Sequence, residues 1–143
     1  MAVRFLDHLN ITVSDLDASI EFYGDLFDFE VVEQDVLDDG RRWCVLKAGE
    51  AMLCIYEESD RIIPDNREVT VGDHSPVKLH GLNHFGLRLD DREAWEKRVA
   101  DTGVTVLYGG PVNWPHSTAW YVKDPTGNEI EVVYWDDETV RFG

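Results

Sequence analysis

Two histidines and one glutamate occupy matching positions in a repeated sequence pattern. The four residues around His8 superpose on those around His84 at an offset of 76 residues. Later in the two copies, Cys54 of the first aligns with Glu131 of the second, at an offset of 77 residues. Imidazole nitrogen and carboxylate oxygen are ligands that divalent metals accept. These three side chains are therefore candidates for a metal site.

Such residues can meet only if the strands that carry them direct them to one side of a sheet. Side chains alternate between the two faces of a strand, and the apolar residues of 82–89 fall opposite His84. The same alternation directs Cys54 and Glu131 away from the apolar faces of their own strands. We predict that His8, His84 and Glu131 hold a divalent metal with open positions. Taken singly, either histidine is more typical of a hydrogen-bonded core residue, and the glutamate of a solvated one.

The repeat predicts that each copy folds as a βαβββ module. The modules span about 4–57 and 79–136, and a polar connector at 58–78 joins them. Ser14 and Asp90 are the expected N-caps of the helices, since each is followed three residues later by an acidic residue. The predicted strands are 5–13, 30–37, 42–48, 51–57, 82–89, 104–108, 117–123 and 128–135.

Neither module has enough elements to close a core alone. We therefore expect one α+β domain over residues 1–143, in which the paired modules form an eight-stranded cupped mixed sheet. The helices are expected on its convex side, and the candidate metal ligands inside the cup.

Composition excludes several classes of function. The 143 residues include 29 acidic and 13 basic side chains, for a net charge of −16, and this scarcity of cations argues against nucleic-acid binding. The longest apolar run, Ala51 to Tyr56, is far shorter than the about 20 residues of a membrane helix. We expect a cytoplasmic protein with no nucleic-acid or membrane partner, in which Cys44 and Cys54 are reduced thiols. The acidic balance would also suit a salt-rich cytoplasm.

Three segments resemble the vicinal oxygen chelate superfamily of glyoxalases, bleomycin-resistance proteins and extradiol dioxygenases. They are Leu6–Tyr23, Gly81–Phe85 and Tyr121–Glu131, the last with the pattern Asp-Pro-x-Gly-Asn-x-x-Glu. The resemblance covers nearly the whole chain and implies paired βαβββ modules, a cupped sheet and a homodimer. It also implies which residues are the metal ligands: His8, His84 and Glu131.

Departures from the family patterns separate the subtypes. Glyoxalase I enzymes resemble this chain but carry a fourth, carboxylate ligand where it has Cys54, which disfavours their lyase reaction. Bleomycin-binding relatives lack the metal ligands, which disfavours a purely binding role. Fosfomycin-resistance thiol transferases are similar in the first module, yet they hold a phosphonate with several basic residues and a Thr. This chain has Asn10 at the position of that Thr, and Arg88 is the basic residue expected in the cup.

Extradiol dioxygenases fit the pattern best, since they use two His and one Glu on Fe(II) or Mn(II) to chelate a catechol. Their signature places a His upstream of Tyr-x-x-Asp-Pro-x-Gly-x-x-x-Glu. Here Tyr121–Glu131 has that arrangement, with His116 two residues closer than usual. His116 is then the candidate acid or base, and Tyr121 the candidate hydrogen-bond donor. The predicted substrate contacts are Arg88, Asn10 and Cys54.

We therefore predict a divalent-metal-dependent enzyme that chelates the vicinal oxygens of a small substrate, with ring-cleaving dioxygenation as its leading reaction. Fe(II) or Mn(II) is favoured, with Zn(II), Ni(II) and Co(II) as alternatives. A glyoxalase-like lyase or a fosfomycin-type thiol transferase would use the same site. A different class of function is a non-catalytic module that sequesters an aromatic or cationic ligand, which an acidic surface would attract.

Overall fold

The strands and helices of the chain fall into two compact units, Met1–Arg61 and Ile62–Gly143. The computed structural model describes residues 5–59, 82–137 and 139–141. The predicted connector at 58–78 lies outside these residues except for its first two positions. The helices in the described part of the chain are 12 and 11 residues long, and none of them is long and apolar enough to cross a membrane.

The first unit is a four-stranded mixed sheet with one helix. Its strands lie in the order β1-β4-β3-β2, where β1 is parallel to β4 and the other pairs are antiparallel. In chain order its elements are β1 (Leu9–Val13), α1 (Leu16–Phe27), β2 (Glu30–Val36), β3 (Arg42–Ala48) and β4 (Ala51–Glu57).

One face of this sheet forms the core of the first unit. Helix α1 contacts β2, β3 and β4, and it buries Leu16, Tyr23 and Leu26. Burial of side chains of this size stabilises a fold by about 1.5–3 kcal/mol each. The buried strand residues that alternate onto the same face are Ile11, Val13, Cys44, Leu46, Leu53 and Ile55.

The second unit repeats the same topology. Its sheet order is β5-β8-β7-β6, with β5 parallel to β8. Trp95 of the helix packs edge-on against Trp120 of the sheet, with ring centroids 6.3 Å apart. In chain order its elements are β5 (Phe85–Arg88), α2 (Arg92–Thr102), β6 (Val112–Trp114), β7 (Ser117–Lys123) and β8 (Glu129–Trp135).

The strand registers of the two units agree with the repeat. Asn10 of β1 pairs with Cys54 of β4, and the matching residues Gly86 of β5 and Glu131 of β8 also pair. The predicted α+β class and the βαβββ modules are thus confirmed. In the part of the chain that the structure describes, hydrogen bonds join eight strands, seven of them at predicted places, into two four-stranded sheets rather than one sheet.

Several predicted element boundaries are wrong. Strands β1 and β5 begin at Leu9 and Phe85, so each candidate histidine directly precedes its strand instead of lying in it. The segment 104–108 is not a strand, and the strand of this region is β6. The cause is a turn in which Tyr108 has a φ of 59° and the two glycines after it also have positive φ, which ends the extended backbone.

Both predicted N-caps are displaced by one residue. Asp15, not Ser14, caps α1, and Asp91, not Asp90, caps α2. In each case the cap backbone is extended and the carboxylate accepts a hydrogen bond from the N–H three residues later, at 2.9 Å and 3.0 Å. This is the usual way in which Asp satisfies an unpaired N–H of the first turn.

The two cysteines lie on opposite faces of the first sheet. Cys44 is fully buried on the face that α1 covers, and burial raises the pKa of its thiol to about 11. Cys54 pairs with Val45 on the other face and is partly exposed. Both thiols are free, as predicted, because two side chains on opposite faces of a sheet cannot form a disulfide.

Candidate metal centre

The second unit brings two of the predicted metal ligands together. His84 directly precedes β5, and Glu131 lies in the adjacent parallel strand β8. The Nε2 atom of His84 is 2.9 Å from the Oε2 atom of Glu131. Both side chains are partly buried, with 32% and 23% of their surfaces exposed to solvent. A metal ion or a substrate can therefore approach them.

Both ring nitrogens of His84 face oxygen atoms. While Nε2 faces the carboxylate, Nδ1 lies 2.7 Å from Oδ1 of Asn83. A neutral imidazole has a single N–H, and which nitrogen carries it is set by these two contacts. The contacts hold the ring from both sides and keep Nε2 directed at the Glu131 carboxylate. An N–H fixed by an outer oxygen is also what a metal-binding histidine needs, so the pair fits a divalent metal.

His8 of the first unit has the same local arrangement. Its Nδ1 atom is 2.8 Å from Oδ2 of Asp7, and Asp7 matches Asn83 in the repeat. Each candidate histidine is therefore oriented through Nδ1 by the residue before it, which leaves Nε2 for a ligand. Within either unit, no three His, Cys, Asp or Glu side chains of the described residues group as metal ligands.

Tyr121 stands beside the His84–Glu131 pair. It lies directly opposite Glu131 in the β7–β8 register, and its ring meets the His84 ring edge-on at a centroid distance of 5.7 Å. Burial and a hydrogen bond to Glu131 raise the pKa of the Tyr121 hydroxyl to about 12. The hydroxyl is therefore protonated at neutral pH and acts as a donor.

The remaining predicted site residues lie further along the two sheets. Arg88 follows on the same strand face as the paired Gly86 and Glu131, and its Nη2 atom donates to the Asp137 carbonyl at 3.2 Å. Asn10 and Cys54 form a directly opposed pair in the first unit, on the face away from α1.

The structure does not bring His116 beside the His84–Glu131 pair. His116 occupies the turn between β6 and β7. Tyr121 lies five residues further along β7, which corresponds to about 17 Å of extended strand. Of the two predicted catalytic residues, Tyr121 is therefore the one that contacts this pair.

Sequence reasoning missed four residues around the candidate site. Asp7 and Asn83 were visible in the repeated segments, and their position directly before each histidine was an available signal. Tyr108 and Glu129 gave no such signal, since they are 21 residues apart and meet only because the 107–110 turn brings the Tyr108 hydroxyl to the Glu129 carboxylate.

Comparisons with known proteins identify the family to which the chain belongs. A family model described as Glyoxalase/Bleomycin resistance protein/Dioxygenase superfamily matches residues 5–132. The chain is 28% identical over 134 residues to metallothiol transferase FosB of Staphylococcus epidermidis, which covers 92% of this chain and 82% of that protein. It is 25% identical over 135 residues to catechol-2,3-dioxygenase of Bacillus subtilis, which covers 89% of this chain and 40% of that enzyme.

A solved structure shares the fold. The crystal structure of a glyoxylase/bleomycin resistance protein/dioxygenase domain from Frankia sp. EAN1pec superposes with a TM-score of 0.74. The match covers 96% of both chains at 16% sequence identity, so it bears on the fold alone.

Proposed function

Because the chain belongs to the glyoxalase/bleomycin resistance protein/dioxygenase superfamily, we propose that it is a divalent-metal-dependent enzyme that acts on the vicinal oxygens of a small molecule. The observation that carries this proposal is the 2.9 Å contact between His84 Nε2 and Glu131 Oε2. Asn83 Oδ1 lies 2.7 Å from Nδ1 on the other side of the ring, so Nε2 and the carboxylate face each other as one nitrogen and one oxygen donor. A divalent metal would be held by these two donors, which are partly exposed to solvent and so to a substrate.

The proposed ligands are His84 and Glu131 of the second unit and His8 of the first. Imidazole and carboxylate donors suit Fe(II) or Mn(II), and Zn(II), Ni(II) and Co(II) are alternatives. When bound, such a metal acts as a Lewis acid that stabilises negative charge developing on substrate oxygens.

The chain's own residues prepare this site before any substrate binds. We propose that Asn83, whose Oδ1 lies 2.7 Å from Nδ1 of His84, accepts the Nδ1 proton when Nε2 binds the metal and so keeps Nε2 directed at Glu131. Tyr121 lies directly opposite Glu131 in the β7–β8 register, and we propose that its hydroxyl donates its single proton to a substrate oxygen when one is bound. Arg88 is the proposed anchor for a substrate carboxylate, with Asn10 and Cys54 as proposed contacts from the first unit. His116 is retained as a candidate acid or base.

Two reactions of this class are in competition. Ring-cleaving dioxygenation of a catechol is supported by the Tyr121–Glu131 motif and by the similarity to a catechol-2,3-dioxygenase. Transfer of a thiol is supported by the similarity to metallothiol transferase FosB, because that match covers most of both proteins. We place dioxygenation first, since the Tyr121–Glu131 motif matches the dioxygenase signature, whereas Asn10 stands where the transferases have a Thr.

Metal binding is tested with three variants. Metal-free wild-type protein should take up a stoichiometric amount of Mn(II), while His84→Ala and Glu131→Gln should bind at background level. Glu96→Gln removes the same charge as Glu131→Gln from the exposed surface of α2 and should bind like the wild type. Background binding by the wild type would refute the metal-dependent function and would favour a non-catalytic ligand-sequestering protein.

The reaction is tested on the reconstituted protein. Protein loaded anaerobically with Fe(II) should consume oxygen when it is mixed with one member of a catechol panel. Absence of uptake, together with consumption of a low-molecular-weight thiol when Mn(II)-loaded protein meets fosfomycin, would replace dioxygenation with thiol transfer.

We further propose that residues 1–143 act as a single domain that forms a homodimer in the cytoplasm. The family resemblance supports the dimer, and the two free thiols are typical of a reducing compartment. The mass in solution, measured by light scattering after gel filtration, tests the dimer directly, and a monomeric mass at micromolar concentration would contradict it.

A further inference from the structure

Tyr108 is held in an unusual backbone conformation next to the candidate centre. Its φ of 59° is in the left-handed region, which bulky residues adopt rarely and mainly where their surroundings impose it. The turn is tied to the neighbouring strand, because the Leu107 N–H donates to the Tyr121 carbonyl at 2.8 Å. Gly109 and Gly110 continue the turn with positive φ. The backbone thus places Tyr108 beside Tyr121.

A buried carboxylate anchors the Tyr108 side chain. The Tyr108 hydroxyl lies 2.9 Å and 3.0 Å from the two carboxylate oxygens of Glu129. Glu129 is buried at 7% exposure, whereas Tyr108 itself is 54% exposed. Apolar burial therefore contributes little to the position of this ring. Its position depends on the hydrogen bond between its hydroxyl and the Glu129 carboxylate.

The anchored ring continues into the candidate metal centre. Tyr108 meets Tyr121 edge-on with centroids 5.2 Å apart, and Tyr121 meets His84 edge-on at 5.7 Å. Edge-to-face contacts at these distances are attractive and directional. Tyr121 in turn lies directly opposite Glu131 in the β7–β8 register. A continuous series of contacts therefore links Glu129 to both proposed ligands of this unit.

We propose that Tyr108, anchored by Glu129, is a positioning residue that holds Tyr121 against the His84–Glu131 pair. Its effect on metal binding rests on the proposed function, whereas its effect on the orientation of His84 does not. Loss of the Tyr108 hydroxyl leaves the ring without its anchor, so Tyr121 gains freedom and the His84–Glu131 geometry loosens.

The first test needs no metal. Tyr108→Phe keeps the ring and removes the anchor, and Tyr134→Phe removes a hydroxyl from the opposite face of β8 as a matched control. The ¹⁵N and ¹H signals of the His84 ring are compared at one pH in the metal-free proteins. Tyr108→Phe should shift them, and Tyr134→Phe should not. Unchanged signals in Tyr108→Phe would overturn the proposal, and Glu129→Gln, which weakens the same anchor, provides an independent second variant.

The second test uses Co(II) as the probe. Competition with a chelator should show that Tyr108→Phe binds Co(II) about tenfold more weakly than the wild type, as is typical for loss of an outer partner of a metal ligand. Tyr134→Phe should bind like the wild type. Equal affinities for the wild type and Tyr108→Phe would overturn the positioning role. If the wild type binds no Co(II), the metal site fails, and the His84 signals alone decide whether Tyr108 positions the pair.

Discussion

At the residue scale, the side chain of Asn83 contacts the nitrogen of His84 that does not face Glu131. Its Oδ1 atom is 2.7 Å from His84 Nδ1, and Asp7 stands in the same relation to His8 at 2.8 Å. An imidazole without such a partner can change tautomer or rotate, and either change moves the metal-binding nitrogen out of position. These two residues therefore support the candidate centre without being ligands.

Replacement of Asn83 should weaken the site without unfolding the protein. Asn83→Ala removes the acceptor for Nδ1–H, and we expect the Mn(II) dissociation constant to rise about tenfold. Asn83→Asp keeps an oxygen in place and should retain tight binding. Isothermal titration of the metal-free variants measures both constants. Equal affinities of Asn83→Ala and the wild type would show that the contact does not orient His84.

The candidate ligands were predictable because their positions repeat. His84 and Glu131 could be found from offsets within the sequence, and the structure brings them together. Asn83 was not recognised, although it stands directly before the repeated histidine, because position alone does not show that its side-chain rotamer brings Oδ1 to Nδ1. Tyr108 was predicted to lie in a strand, because the sequence does not indicate when a residue other than glycine will adopt a positive φ.

At the scale of elements, Glu57 links the last strand of the first unit to the start of its helix. Its Oε2 atom accepts a hydrogen bond from the Leu16 N–H at 2.8 Å, and its carboxylate pairs with Arg42. Arg42 also contacts Asp17 in the first turn of α1. The hydrogen bond to Arg42 and that from the Leu16 N–H lower the pKa of Glu57 below its ordinary value of 4.5.

The stabilisation from Glu57 should depend on pH. A carboxyl group whose pKa is lowered by folding stabilises the folded state above its unfolded pKa, and this contribution is lost as the pH falls through the folded value. Glu57→Gln should reduce the free energy of unfolding by about 1 kcal/mol at pH 7, since the pair is partly exposed. Near pH 3 the difference from the wild type should shrink. Urea unfolding at both pH values measures it.

A matched control separates this contact from general charge effects. Glu50→Gln removes the same charge from an exposed turn and should change the free energy of unfolding little at either pH. A pH-independent loss of stability in Glu57→Gln would contradict the role of its ionised form.

The ends of a helix or strand were predicted most accurately where the residues at that end form a clear turn or capping pattern. Strands β7 and β8 were predicted almost to the residue because the Asp124–Gly127 turn between them has a clear sequence. In the structure the Asp124 carboxylate accepts hydrogen bonds from three consecutive N–H groups and from the Asn128 side chain. At the start of each helix, two consecutive residues are both of a type that can cap it, and the first of the two was predicted. Each helix cap was therefore predicted one residue too early.

At the scale of the whole molecule, the dominant feature is a net charge of −16 on 143 residues. Like charges at this density repel one another and reduce the stability of the folded state. Salt bridges in the described residues, such as those of Arg41 and Arg92, are mostly partly exposed and compensate little. The candidate centre uses one of the 29 acidic side chains as a proposed ligand.

Salt should therefore stabilise the protein. Raising NaCl from 0.05 M to 1 M shortens the screening length several-fold, and we expect the melting temperature at pH 7 to rise by about 5 °C. The control is the same series near the isoelectric point of about 4.4, where the net repulsion disappears and the rise should be much smaller. A melting temperature at pH 7 that does not respond to salt would rule out both the repulsion and a salt-adapted surface.

The parallel pairing of β1 with β4 has a consequence for the order of folding. Strands β2, β3 and β4 are joined by short connections and pair antiparallel, so their contacts are local in the chain. Strand β1 pairs with a strand about forty residues away, and that contact requires the closure of a long loop. Each unit should therefore form its three-stranded meander first and add its opening strand last. During synthesis, His8 and His84 would reach their final positions only after the rest of their own units had folded.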